Sequence, residues 1–78
     1  MQSQEIKIYT LPTCGFCQQL KEYLTEKKLV YEEIDVLANE EGGKEMVEIS
    51  GQTSCPVLEY KGQIIIGYQK VILDSLFG

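Results

Sequence analysis

The chain has 78 residues, enough for one domain with a modest hydrophobic core, and we expect that single domain to span residues 1–78. It contains no histidine and no arginine, which excludes imidazole chemistry, histidine metal ligation and bidentate arginine recognition of phosphate. Its formal charge of −5, without any basic run, makes nucleic acids and anionic membranes poor partners.

A strand followed by an amphipathic helix opens the predicted fold. Residues 5–10 alternate apolar and polar side chains, which predicts a strand with Ile6 and Ile8 on its inner face. Residues 15–28 predict a helix, because apolar side chains recur there at four-residue steps while charged side chains take the opposite face. The apolar members of this helix are Phe16, Leu20 and Leu24.

A second strand and a weaker helix follow. Residues 30–36 predict the strand. Its inward side chains are expected to be Val30, Ile34 and Val36. Residues 39–50 predict a helix that Asn39 can cap and that Gly51 can end. The Gly42-Gly43 pair lowers the stability of that helix, so we expect its first turns to be irregular.

Two further strands and a short helix complete the sequence. Residues 56–60 and 63–67 predict strands that the short Lys61-Gly62 connection joins as a hairpin. Residues 69–77 predict the last helix. The apolar members of that helix are Val71, Ile72, Leu76 and Phe77. The order β-α-β-α-β-β-α predicts an α/β fold, with the first two strands parallel in a mixed four-stranded sheet and three helices on its faces.

Two cysteines three positions apart, Cys14 and Cys17, lie between the first predicted strand and the first predicted helix. The first turn of a helix has backbone N–H groups without intrahelical partners, and the helix dipole favours negative charge there. A cysteine at this point is favoured as the thiolate, the form that attacks disulfides and binds metals. The second thiol is one turn away on the same face, close enough to form a disulfide. The pattern therefore predicts dithiol–disulfide exchange.

The sequence resembles the glutaredoxins, which have the minimal thioredoxin-like fold, and the resemblance covers nearly the whole chain. The matching segments are Ile8-Tyr9-Thr10, Pro12-Thr13-Cys14 with Cys17, Tyr31-Glu32-Glu33-Ile34-Asp35-Val36, Ser50-Gly51-Gln52, and Pro56 at the start of the third strand. The resemblance implies a glutaredoxin-type fold and a thiol–disulfide oxidoreductase that reduces protein or small-molecule disulfides.

The resemblance also implies a role for each residue of the site. Cys14 corresponds to the exposed nucleophile and Cys17 to the more buried resolving thiol, and the two would form the redox-active disulfide. Pro56 matches the family's cis-proline, which faces the cysteines and leaves the preceding backbone free to pair with an extended substrate. The residues expected to contact substrate are Thr13, Phe16, Cys55, Pro56, Gly67 and Tyr68.

The sequence departs from common glutaredoxins where that family binds glutathione. Leu11 replaces a lysine that often helps to hold the carboxylate of glutathione. No acidic residue follows Gly67 until Asp74, although the family often has an earlier aspartate for the γ-glutamyl end, and Gly15-Phe16 replaces a proline–tyrosine pair. Since each lost charge-assisted contact costs roughly 1.5–3 kcal/mol, we expect weak glutathione dependence. Reducing equivalents would come from a thioredoxin-reductase-type flavoenzyme or from glutathione, with no bound cofactor.

The expected partners are disulfide-bearing proteins and a reductase, with no nucleic acid or membrane among them, and we expect a monomer. The sequence has no apolar segment of signal-peptide or membrane-spanning length, and its longest apolar run is Ile64-Ile65-Ile66. Three cysteines, an odd number, fit poorly with a disulfide-stapled secreted protein. We therefore expect a cytoplasmic location.

A thiolate metal or iron–sulfur cluster module is the alternative function. A C-x-x-C motif is also half of a tetrahedral thiolate site, but only Cys55 remains to extend it and no histidine can complete it. Some glutaredoxins hold an iron–sulfur cluster between two protomers with glutathione as co-ligand. Because the glutathione site is expected to be weak here, we assign no metal-binding residues.

Cys55 has two interpretations. As a small apolar side chain it would fill the position beside Pro56. As a third thiol near Cys14 it would form an alternative disulfide or bind a soft metal together with the pair. We expect mild oxidation to join Cys14 to Cys17 and to leave Cys55 as a free thiol.

Overall fold

The structure, a computed structural model, describes residues 6–78, where the strands and helices follow the predicted order. They are β1 (Ile6–Thr10), α1 (Gly15–Glu26), β2 (Tyr31–Asp35), α2 (Glu40–Ser50), β3 (Val57–Tyr60), β4 (Gln63–Ile66) and α3 (Lys70–Phe77). The predicted boundaries agree to within one or two residues, apart from Glu5, which lies outside the described residues. Within residues 6–78, none of the helices is both long enough and apolar enough to cross a membrane.

The four strands form one mixed sheet in the order β2-β1-β3-β4. β1 and β2 are parallel, with Thr10 opposite Asp35 at their carboxyl ends. β3 runs antiparallel to β1 and β4, with Val57 at its start opposite Ile66 at the end of β4. One edge of the sheet therefore collects the ends of β1, β2 and β4 and the start of β3, and we call it the upper edge.

Two hydrophobic clusters form the core. Tyr9 and Val57 belong to one cluster and their strand neighbours Ile8 and Leu58 to the other, because successive side chains of a strand point to opposite faces. The buried members of the larger cluster, which includes α1 and α3, are Ile6, Ile8, Leu20, Tyr23, Leu24, Leu58, Ile65 and Leu73. Those of the smaller cluster, which includes α2, are Tyr9, Met46 and Val57.

Val30, which was expected to face inward, is instead 66% exposed, and Phe16 and Val71 are exposed as well, at 60% and 83%. Val30 precedes the first residue of β2, and Phe16 lies in the first turn of α1, beyond the end of the sheet. In α3 the fully buried side chain is Leu73, whereas Ile72 is exposed. The helix itself was predicted correctly and Leu76 and Phe77 pack against the larger cluster, but Leu73 was not among its named apolar members, because three consecutive apolar residues hide the helical phase.

The Gly42-Gly43 pair does not disturb α2, contrary to expectation. Asn39 caps the helix as predicted, since its Oδ1 accepts the backbone N–H of Gly42 at 2.9 Å. A methyl group added at Gly42 would overlap the side chain of Ile34 on β2, so glycine allows the helix to approach the strand closely. Gly51 ends the helix in the left-handed conformation, also as predicted.

Candidate redox site

Cys14 lies at the upper edge as the N-cap residue of α1 and is half-buried. The turn that leads to it is closed by a bond from its own N–H to the carbonyl oxygen of Leu11 at 3.2 Å. Its Sγ accepts the backbone N–H of Cys17 at 3.3 Å and donates to the carbonyl oxygen of Cys55 at 3.7 Å. A negative charge on this sulfur is therefore stabilised by a directed N–H and by the dipole of α1.

Cys17 lies in the first turn of α1 and is only 1% exposed. The pKa of its thiol is raised to about 12, mainly by burial and also by the side-chain hydrogen bond with Cys14 and the charges of Cys14 and Cys55. A backbone hydrogen bond with Leu11 opposes these effects. Cys14, Cys17 and Cys55 are all free thiols in this structure. The site thus combines a half-exposed sulfur at a helix terminus with a buried thiol that holds its proton.

The Cys55–Pro56 peptide bond is cis, which confirms the expectation for this proline. Pro56 is buried, and the carbonyl oxygen of Cys55 faces Cys14. The Cys55 thiol is directed elsewhere, since its sulfur contacts Sδ of Met46 at 3.7 Å and packs against the smaller hydrophobic cluster. Burial raises the pKa of this thiol, with smaller contributions from the charges of Cys14 and Asp35. The packing favours the interpretation of Cys55 as a small core side chain.

Three of the other residues expected to contact substrate lie at the upper edge. Thr13 and Phe16 are exposed on either side of Cys14 along the chain. Gly67 has a φ of +83° and donates its N–H to the carbonyl oxygen of Pro56 at 2.7 Å. That bond holds the β4–α3 connection beside the cis-proline.

Tyr68 follows Gly67 but its ring is directed toward the core. The ring is half-buried, packs against the larger cluster and meets Tyr23 edge to face, with ring centroids 6.3 Å apart. In turn, the hydroxyl of Tyr23 donates to Oδ1 of Asp74 at 2.6 Å, which ties α1 to α3. A contact of Tyr68 with substrate stays a prediction.

The metal-binding alternative receives no support from the arrangement of these thiols. Among residues 6–78, no three or more cysteine, aspartate or glutamate side chains converge so that they could hold a metal ion. The set of three thiols considered for a soft metal is not assembled, because the Cys55 sulfur is directed to Met46.

The connection between β2 and α2 is a part of the upper edge that the sequence did not indicate. Oδ1 of Asp35 accepts the backbone N–H groups of Leu37 at 2.9 Å and Ala38 at 3.3 Å, and the Leu37 side chain is 72% exposed. A bond of 3.0 Å from the N–H of Val36 to the carbonyl oxygen of Thr10 fixes this connection next to the loop that leads to Cys14. An aspartate followed by a turn is the only sequence signal for it.

Comparison with known proteins identifies the family. The glutaredoxin family model matches residues 6–65. The chain belongs to the glutaredoxin family. Its fold and family are those of thiol–disulfide oxidoreductases, and the expected activity class is confirmed at that level.

Two related sequences and one solved structure match this glutaredoxin-family chain over most of its length. An uncharacterized glutaredoxin-like 8.6 kDa protein in the rubredoxin operon of Clostridium pasteurianum is 38% identical over 71 residues, covering 91% of this chain and 95% of that protein. Glutaredoxin 3 of Escherichia coli K12 is 32% identical over 62 residues, covering 80% and 75%. The crystal structure of a glutaredoxin from Archaeoglobus fulgidus superposes with a TM-score of 0.84 at 28% identity, covering 94% and 85%.

Proposed function

We propose that this chain is a dithiol electron carrier in which Cys14 attacks disulfides and Cys17 resolves the mixed disulfide. The observation that carries the proposal is the 3.3 Å hydrogen bond from the Cys17 N–H to the Cys14 sulfur, together with the burial of the Cys17 thiol. The first feature stabilises an attacking thiolate at a half-exposed position. The second keeps the resolving thiol away from competing substrates.

The reaction follows thiol–disulfide exchange. The Cys14 thiolate attacks one sulfur of the substrate, forming a mixed disulfide as the substrate S–S bond breaks, and the second substrate sulfur leaves and takes up a proton. The Cys17 thiol then loses its proton and attacks Cys14, which closes the Cys14–Cys17 disulfide and releases the first substrate sulfur as a thiol. The substrate gains two electrons, and the protein loses two.

The acidity of Cys17 changes during this cycle in the direction the reaction needs. Two causes of its raised pKa, the hydrogen bond with Cys14 and the charge of Cys14, depend on the free Cys14 thiol or thiolate. Both disappear when Cys14 is bonded to the substrate. The pKa of Cys17 therefore falls in the mixed disulfide, and the resolving thiol becomes easier to deprotonate at the step where it is required.

For the electron source we propose a thioredoxin-reductase-type flavoenzyme, with glutathione as a poor donor. The resemblance places Leu11 where a glutathione-binding lysine is common, and Leu11 offers no charge. Lys70 lies near the expected γ-glutamyl position, and its Nζ is already paired with Oδ2 of Asp74 at 2.8 Å. These residues supply little of the charge complementarity that glutathione requires. The reductase and the protein substrates would be cytoplasmic, and the carrier monomeric.

The roles of the two cysteines are tested with serine variants and a disulfide-bonded protein substrate. We expect Cys14→Ser to abolish turnover, and Cys17→Ser to accumulate a mixed disulfide with substrate at Cys14, visible by intact mass. Cys55→Val is the matched control and should keep most of the turnover, because the Cys55 sulfur packs against Sδ of Met46 and takes no part in the proposed exchange. Substantial turnover by Cys14→Ser would refute the assignment.

The electron source is tested by driving the same carrier with two reducing systems. One contains NADPH and a thioredoxin-reductase-type flavoenzyme, and the other contains NADPH, glutathione reductase and glutathione. We expect turnover to be faster by about an order of magnitude or more with the flavoenzyme alone, since one lost charge-assisted contact is worth at least a factor of ten in affinity. Fast glutathione-dependent reduction would show that glutathione is the donor.

A further inference from the structure

We propose that the groove between α2 and the sheet is a second binding site, and that it holds an organic cation with ammonium groups on an alkyl chain. The groove has a volume of about 480 Å³, and none of the described residues that line it is a cysteine. We call it the α2 groove. This inference goes beyond the proposed function and does not depend on it. The charged lining residues of the groove within residues 6–78 are Lys7, Glu32, Glu41, Lys44, Glu45 and Glu48.

The α2 groove forms because α2 leaves part of one sheet face beside it uncovered. Gly42 packs against β2, and Met46 packs with Tyr9 of β1 in the smaller hydrophobic cluster. Positions 41, 45 and 48 share a neighbouring face of the helix, because residues three or four apart lie on the same side. That face forms one wall of the groove. The other wall is the sheet, where Lys7 and Glu32 are opposite each other in the register of β1 and β2.

The charge of the α2 groove favours a cation as its occupant. Four carboxylates and two ammonium groups line it, which gives a net charge of −2. Nζ of Lys7 lies 3.5 Å from Oε1 of Glu45, and the two side chains are 32% and 45% exposed. An ion pair this long and this exposed contributes little stability. An incoming cation can therefore replace Lys7 at Glu45.

A buried hydroxyl group is directed toward these charges. Tyr9 is fully buried, and within residues 6–78 its hydroxyl has no hydrogen-bond partner. The Tyr9 ring is on the same face of β1 as Lys7, whose Nζ is 5.9 Å from the ring centroid. Burial raises the pKa of the hydroxyl, and so does the neighbouring Glu45 carboxylate, although no hydrogen bond of good geometry joins the two. The hydroxyl therefore keeps its proton.

A ligand in the α2 groove would satisfy this hydroxyl. A buried polar group without a partner costs stability, and nearly all such groups in folded proteins are bonded to protein, water or ligand. A protonated phenol oxygen can still accept a hydrogen bond, and an ammonium group can donate one. The charges of Glu59 and Glu32 also act on the Tyr9 hydroxyl, so an ammonium group beside it would lie in a negative potential.

The spacing of the carboxylates favours an extended organic cation over a metal ion. Among residues 6–78, no three or more cysteine, aspartate or glutamate side chains converge so that they could hold a metal ion. Glu41 and Glu48 are about 10 Å apart along the axis of α2, at a rise of about 1.5 Å per residue. A chain of methylene groups with several ammonium groups can reach carboxylates this far apart. Its methylene groups can pack against Ile34, a half-buried lining residue.

The experiment measures the binding of spermidine by isothermal titration calorimetry at low ionic strength. We expect the parent to bind it, and to bind it more weakly as salt is added. Glu45→Gln and Glu32→Gln should each weaken binding about twofold to fivefold, the range of partly exposed ion pairs. Glu26→Gln is the matched control, because it removes the same charge at an exposed position of α1, outside the groove, and it should change the affinity less.

Two further variants separate a built site from general attraction to an acidic protein. Tyr9→Phe changes no charge and should weaken spermidine binding about tenfold, since hydrogen bonds to charged groups are the strong ones. The same variant should leave the urea midpoint equal or higher, because it removes an unpartnered buried hydroxyl. Lys7→Met should tighten binding by removing the competing ammonium group. Lys28→Met removes the same charge at an exposed position outside the groove and should tighten binding less.

The outcomes either support this site or overturn it. If neither spermidine nor a lysine-containing peptide with blocked ends binds the parent, the proposal is wrong. If Tyr9→Phe binds spermidine as tightly as the parent, or unfolds at a lower urea concentration, the hydroxyl is not a ligand contact and the proposal is also wrong. If the peptide binds and spermidine does not, and Tyr9→Phe weakens the peptide, the site is supported and its cation is the lysine side chain of a partner protein.

Discussion

The backbone N–H of Cys17 donates to the sulfur of Cys14 across 3.3 Å, within a single turn of α1. This backbone donor stabilises negative charge on the Cys14 sulfur. A side-chain hydrogen bond with Cys14 and the charge of Cys14 in turn raise the pKa of the buried Cys17 thiol, so the two thiols are coupled. The order of events proposed for the reaction, with Cys14 first and Cys17 second, follows from this dependence.

Replacing Cys14 should make Cys17 more acidic. In Cys14→Ala the hydrogen bond and the charge of Cys14 are lost, so the pKa of Cys17 should fall from about 12 but stay above the ordinary value of 9.0, because burial is the largest cause and remains. The rate of iodoacetamide alkylation at Cys17, followed against pH by mass spectrometry, measures the change. Cys55→Val is the control and should shift the profile less, since Cys55 contributes least. An unchanged profile in Cys14→Ala would contradict the coupling.

Cys55 should remain a free thiol when the protein is mildly oxidised. Its sulfur is directed to Met46 and its pKa is raised by burial, so both its position and its protonation disfavour attack by this thiol. Peptide mapping after oxidation should show Cys14 joined to Cys17 and Cys55 alkylated. A dominant link from Cys55 to either of the other cysteines would show that the loop before Pro56 rearranges.

The two neighbouring glycines of α2 should respond to alanine in opposite directions. Gly42→Ala should lower the free energy of unfolding by about 1–3 kcal/mol, because the new methyl overlaps Ile34 and overpacking costs that much. Gly43→Ala is the matched control. Its methyl would make only ordinary contacts with Val36, so the gain in helix propensity should stabilise the protein by about 0.5–1 kcal/mol. Urea unfolding measures both, and equal effects would mean that α2 does not pack as closely as described.

The bond between Tyr23 and Asp74 should contribute stability that is lost in acid. The ion pair with Lys70, and then the Tyr23 hydroxyl, lower the pKa of Asp74 below its ordinary 3.8. A carboxyl with a lowered folded-state pKa stabilises the protein above pH 3.8, and this stability disappears as the pH falls through the folded-state value. Tyr23→Phe should therefore lower the urea midpoint at pH 7 more than at pH 3. Lys70→Met leaves the Tyr23 hydrogen bond intact. In an NMR titration it should raise the pKa of Asp74 more than Tyr23→Phe does, because the Lys70 contact is the largest cause of the lowered value.

Much of the secondary structure and the position of the cysteine pair could be predicted from patterns of residues close together in the sequence. The alternation around Ile6 and Ile8, the cap at Asn39 and the Lys61-Gly62 hairpin were readable because each depends on backbone bonds or side-chain periods within a few residues. The spacing of Cys14 and Cys17 was equally local, since one helical turn brings position i+3 back to the same face.

Only the tertiary structure decided features that depend on residues far apart in the chain. The buried side chain of α3 is Leu73 and not Val71, because the sheet selects one phase among three consecutive apolar residues. The side chain of Ile34 on β2 leaves no room for a methyl group at position 42, so glycine is needed there. The Cys55 thiol packs against Met46 on α2. Packing between elements chooses among conformations that the local sequence leaves nearly equal in energy, so these outcomes could not be derived from any one segment.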